Sequence, residues 1–152
     1  MLALMCEAGD GRHALDASCV IEVVPCVRLE TTVETPDWLA GAFSYRGRAV
    51  FVADLGHLIA ATPCPRHLSS RIIVADFRLP DLPSRLGLLV QRVVATQIDA
   101  TAGNDSDAQG QLSTHGRILL DEQGMYQLID PARLFPAERR RALRPIESEG
   151  RE

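Results

Sequence analysis

The chain has 152 residues, 46% of them hydrophobic and 24% charged, with a formal net charge of −4. Such a chain folds as one ordinary domain, burying roughly 70% of its unfolded surface, and is neither disordered nor fibrous. All sixteen positive side chains are arginine. This excludes a Walker A loop, a Schiff base, a pyridoxal site and a protein-kinase fold, each of which needs a lysine, and the acidic balance argues against nucleic acid as a partner.

The run Met1–Cys6 carries no basic residue and is too short for a secretory signal, and no apolar stretch approaches the roughly 20 residues of a membrane span. A cytoplasmic location without direct membrane insertion is expected. Cys6, Cys19, Cys26 and Cys64 contain no Cys-x-x-Cys pair and read as reduced thiols.

In chain order, Leu2–Cys6 and His13–Ala17 flank Gly9-Asp10-Gly11, whose Asp-Gly pair is expected to supply the positive φ of a tight hairpin. Val20–Val24 is a third strand, ended by Pro25. Thr35-Pro36-Asp37-Trp38 opens one short helical turn that Gly41 closes. Ala42–Tyr45 and Ala49–Ala53 flank Arg46-Gly47-Arg48 as a second hairpin, and Asp54 caps a short helix through Ala60. Arg71–Phe77 and Leu86–Val94 form a further strand pair across a loop with two prolines. Residues 103–116 are a polar insertion. Arg117–Leu120 and Met125–Ile129 make the last hairpin, Asp130 caps a terminal helix beginning at Pro131, and Pro145 stops it before a frayed, charged tail. The pattern predicts an all-β fold of nine or ten strands with short helices and no βαβ alternation.

Several motifs have plainer readings. Gly9-Asp-Gly-Arg-His-Ala14 matches a dinucleotide fingerprint in form, but no crossover helix follows it, so it is read as a turn. His57, Cys64 and His67 lie close in sequence without the paired spacing of a structural zinc site. A small β-barrel enzyme, or a ligand- or metal-binding domain using Asp54, His57 and Cys64, is the alternative function. A regulatory fragment of a larger kinase is a third.

The ordered set Val20-x-Glu22-Val-Val24, Pro36-x-Trp38-Leu-x-Gly41, Arg46-Gly47, Val50-x-Val52-x-Asp54-Leu55, Arg71–Val74, Leu86–Val90 and Gln127–Leu134 resembles the CheW-like chemotaxis adaptor family over nearly the whole chain. The resemblance implies two packed, five-stranded SH3-like β-barrel subdomains over residues 1–137. Residues 138–152 are then the helix end and tail. It implies no catalytic residue, no cofactor and no metal. It also implies two partners, the cytoplasmic tip of a methyl-accepting chemoreceptor and the regulatory domain of a CheA-type histidine kinase, met at receptor arrays on the inner face of the membrane. By matching position Val20, Gly41 and Arg46 fall where the family couples receptor and kinase. Glu22, Gly47 and Phe51 complete the expected interface, and Arg46 is expected to pair with Glu22. Phe51 and Tyr45 depart from the family's usual proline and leucine. They mark either a binding face altered for a different receptor or mere repacking, and the short N-terminal strand and the polar insertion likewise suggest a divergent paralogue serving an alternative array, such as a Wsp-type pathway. Open edge strands allow self-association.

Overall fold

The computed structural model describes residues 2–9, 11–31, 34–99, 101–102, 118–121 and 124–150. Strands β1 (Leu2–Ala8) and β2 (Gly11–Asp16) form the first hairpin. The side chain of Asp16 then accepts the Ser18 N–H (2.9 Å) to cap a 3-10 turn, Ala17–Cys19. There follow β3 (Val20–Pro25), β4 (Leu39–Tyr45), β5 (Arg48–Asp54), α1 (Leu55–Ala60), β6 (Arg71–Ala75), β7 (Leu86–Val90) and β8 (Arg92–Asp99). The chain ends with β9 (Thr101–Ala102), β10 (Ile118–Asp121), β11 (Gly124–Leu128), α2 (Pro131–Leu134) and α3 (Ala137–Gly150).

The strands form two sheets, in the orders β8-β1-β2-β11-β10-β9 and β3-β6-β7-β5-β4. Because only one residue separates the end of β8 from the start of β9, a single run of chain pairs with β1 at one edge and β10 at the other. The first sheet therefore closes on itself as a barrel of five runs. The second has five strands, with β5 and β7 parallel at its centre. This is the mostly-β, two-barrel architecture expected.

Strand β1 is the wall between the barrels. Its alternating side chains divide by the two-residue period of a strand. Ala3 and Met5 face a small core with Ala14 and Tyr126, while Leu4, Cys6 and Ala8 join the main core with β5, β6 and β7. From Ala3 to Cys6 both faces are buried, so this stretch of β1 reads as a continuous apolar run.

Three expectations are corrected. Leu86–Val94 is not one strand: the chain changes sheet at Gln91, whose N–H donates to the Glu7 carbonyl (2.8 Å). Only Gln91-Arg92 interrupts the apolar pattern here, too short a break to mark the transfer. Residues 35–38 make only a turn, with Leu39 N–H on the Pro36 carbonyl (3.0 Å), and β4 begins at Leu39 because β5 captures the chain at once through Asp54 N–H to the Trp38 carbonyl (2.8 Å). Pairing there overrides the helix-start signal. Nor does Pro145 end the terminal helix, since α3 continues to Gly150. Proline's fixed φ suits a helix; what it removes is one donor to the preceding turn. The insertion at 103–116 lies outside the described residues.

Asp130 caps α2 through the Ala132 N–H (3.1 Å), with Pro131 at its first position. Phe135 then inserts fully buried between Trp38 (ring centroids 6.3 Å, edge to face) and Phe77 (5.9 Å). Leu143 of α3 is buried in the same core. Trp38 is thus an anchor for the C-terminal segment.

Candidate functional site

The outer strands of the second sheet, β3 and β4, would leave backbone groups open to pairing with another chain. They are closed against each other in two ways. The connector after β3 doubles back so that Glu30 N–H donates to the Ala42 carbonyl (2.8 Å) and Ala42 N–H to the Glu30 carbonyl (2.9 Å). Further along the seam, the Tyr45 hydroxyl (2.5 Å) and Arg46 Nη2 (3.1 Å) both donate to Oε1 of Glu22. The expected Glu22–Arg46 pair is therefore present. It is half solvated, so its worth lies in fixing geometry more than in stability.

The sequence at the turn makes this contact possible. Arg46 and Gly47 both have positive φ (+51° and +79°), the conformation that lets a two-residue turn match the twist of its strands. The turn places the Arg46 guanidinium 5.1 Å from the centre of the Tyr45 ring, and Arg85, just before β7, stands 6.0 Å from that ring. Phe43 meets Tyr45 edge to face at 6.1 Å. Donation to the Glu22 carboxylate holds the Tyr45 hydroxyl protonated and raises its pKa above the ordinary value, with desolvation adding to the shift.

Gly41 sits in a different context from the one expected. It lies inside β4 at a register shift, with φ +145°, and does not terminate a helix. A Cβ there would stand 2.6 Å from the Glu30 carbonyl oxygen and 2.8 Å from Cβ of Leu29. Only glycine lets the connector lie this close to β4. Phe51 pairs with Ala42 on one side and Leu86 on the other, half-buried against the main core. Val20 is likewise half-buried, at the start of β3. Of the six residues singled out, Glu22 and Arg46 touch, Gly47 completes their turn, Gly41 fits the connector, and Val20 and Phe51 belong to the strands on either side. Tyr45 and Arg85 complete the cluster. Tyr45 stands out in sequence as a departure from the family, but nothing there ties its hydroxyl to a residue 23 positions away.

Asp54, His57 and Cys64 do come together, but for a structural reason. The Asp54 carboxylate caps α1 through the His57 N–H (3.2 Å) and also accepts the Cys64 N–H on both oxygens (3.1 and 3.0 Å). The Cys64 thiol donates to the Leu89 carbonyl (3.6 Å), and burial with the nearby Asp54 charge pushes its pKa up to about 12. Among the described residues no group of three or more His, Cys, Asp or Glu side chains is arranged to hold a metal ion. With the carboxylate spent on backbone donors and the thiol kept neutral, this trio is a helix cap.

A CheW-like domain model matches residues 2–139. The chain belongs to the CheW-like family. The match takes in both barrels and α2, and it ends within the first turn of α3. Among solved structures, that of the scaffolding protein TtCheW from Thermoanaerobacter tengcongensis is similar with a TM-score of 0.72, covering 91% of this chain and 94% of that one at 21% identity. This establishes a shared CheW-like fold. No curated protein matches the chain.

Proposed function

We propose that this CheW-like chain is a non-enzymatic scaffold that couples a methyl-accepting chemoreceptor to the regulatory domain of a CheA-type histidine kinase. The observation that carries the reading is the family match across residues 2–139, which includes both barrels and the β3–β4 seam together. The seam supports it physically. A latched pair of edge strands presents the fixed, half-exposed carboxylate and guanidinium of Glu22 and Arg46 beside the rings of Tyr45 and Phe43. A surface that is already ordered loses little entropy on binding a helical partner. The cluster supplies shape and charge and calls for no bond-making chemistry. In this reading the protein works at receptor arrays beside the membrane, without entering it.

The test is binding of the purified chain to a chemoreceptor cytoplasmic domain and to the kinase regulatory domain. Arg46→Ala, which keeps the fold but breaks the Glu22 contact, is compared with Gly41→Asp, which pushes the connector away. The wild type should bind both partners, and each variant should lose at least tenfold in affinity for one of them. A folded wild type that binds neither would overturn the reading.

A further inference from the structure

The loop joining α1 to β6, residues 61–70, carries Leu68, whose 97% accessibility is the greatest of any large apolar side chain among the described residues. That exposure is built in, because the backbone beneath it is tied down. Ser70 Oγ donates to the Pro65 carbonyl (2.7 Å) and accepts the His67 N–H (2.9 Å). Arg71 Nη1 donates to the carbonyls of Leu68 (2.7 Å) and Ser70 (2.8 Å), and Ser69 Oγ donates to the Gln91 carbonyl (3.3 Å).

The surroundings are basic in a chain that is acidic overall. From Ala61 to Arg71 the ionisable side chains other than the Cys64 thiol are Arg66, His67 and Arg71, with no carboxylate. Cys26 N–H donates to the Ser70 carbonyl (3.3 Å), so the exposed Val27 and Arg28 follow directly beside the loop. Two nearby acids are engaged, Glu7 with Arg92 (3.6 Å) and Asp54 buried under Cys64, and the exposed Glu30 stands two residues beyond Arg28. The loop also stands at the far end of the barrel from the Glu22–Arg46 contact. Arg85, beside Tyr45, precedes β7 and Gln91, beside Ser69, follows it, a span of about 20 Å at the rise of a strand. Two proteins could occupy the Glu22–Arg46 contact and the loop without competing.

Building on the scaffold reading above, we propose that this loop is a second docking surface, on which Leu68 enters an apolar pocket, rimmed by carboxylates, of a protein partner different from the one at the seam. A leucine on a pre-ordered frame is a low-cost anchor, and the arginines around it steer an acidic partner. The loop has no Phe, Tyr or Trp ring on which a nucleic-acid base would stack.

The experiment measures affinities for the receptor cytoplasmic domain and the kinase regulatory domain at two salt concentrations, together with sedimentation equilibrium of the chain alone. Leu68→Glu, Arg66→Glu and the conservative Leu68→Met are compared with Arg46→Ala, after circular dichroism has shown each to be folded. Leu68→Glu should weaken binding of one partner at least tenfold and leave the other unchanged. Arg66→Glu should weaken the same partner and flatten its salt dependence, Leu68→Met should retain binding, and Arg46→Ala should affect the other partner. If the wild type binds both and Leu68→Glu binds both equally well, the loop proposal is wrong and the scaffold reading stands. If the wild type binds neither, both fall. If Leu68→Glu changes only self-association, the loop joins two copies of this chain and the acidic-partner proposal is overturned.

Discussion

Gly41→Ala tests how the second barrel is closed. The added Cβ would overlap the Glu30 carbonyl oxygen at 2.6 Å, and the backbone there is at φ +145°. Holding alanine in that conformation costs about 1–3 kcal/mol. Relieving the overlap by moving the connector breaks the two Glu30–Ala42 hydrogen bonds, worth about 0.5–1.5 kcal/mol each. Together these give about 2–6 kcal/mol, or a drop in Tm on the order of 8–16 °C for a mid-range value of about 4 kcal/mol in a domain of this size. Gly47→Ala is the internal control. It also has positive φ (+79°), but a Cβ there meets nothing within 4 Å, so only the conformational cost of about 1–2 kcal/mol applies. Urea denaturation followed by far-ultraviolet circular dichroism reads both variants. A Gly41→Ala variant no less stable than Gly47→Ala would refute the claim that close approach of the connector, and not backbone conformation alone, requires glycine at this position.

Phe135→Ala should cost about 3–5 kcal/mol, because it empties a fully buried site between two rings; the emission of Trp38, the single tryptophan, reports the unfolding directly. At pH 8 the native chain should leave Cys6 and Cys64 unlabelled by Ellman's reagent, since burial pushes both thiols up to about 12, and both should label once the chain is unfolded. The same shift fixes a direction for stability. The folded state retains protons that the unfolded chain releases above about pH 9, so this contribution is complete below pH 9 and is lost as pH rises toward 12. A rise in urea midpoint over that range would contradict it. Arg46→Ala should lower stability by no more than about 1 kcal/mol, because its ion pair is half solvated, so its effect on binding can be read without an unfolding artefact.

Local chemistry was the part of this structure legible in sequence. An aspartate after an apolar run marks the cap at Asp54, and Arg46-Gly47 marks a two-residue turn. The Glu22–Arg46 contact follows once two strands are placed side by side. Features decided by distant partners were not legible. Gln91 changes sheets because Glu7, far back in the chain, offers it a carbonyl, and the Tyr45 hydroxyl finds Glu22 only after the barrel has closed. Thr35-Pro36 carries a helix-start signal, but Asp54 draws the chain into β4 before a helix can propagate. Gly41 announces a special backbone position, yet the neighbour that requires it, Glu30, is identified only by the fold.

The two barrels also differ in how the chain is spent on them. Strands β3 to β7 are contiguous, whereas the first barrel pairs Leu2 with Asp99 and His13 with Gln127. One barrel is therefore threaded into an interruption of the other. Its contacts are the shorter-range ones and can form during synthesis, while the N-terminal hairpin must wait for strands made more than eighty residues later. Pulse-labelled amide exchange during refolding should accordingly protect β6 and β7 before β1 and β2. Until β8 arrives, one edge of the hairpin stays unpaired, so aggregation of newly made chains should begin at the N-terminus.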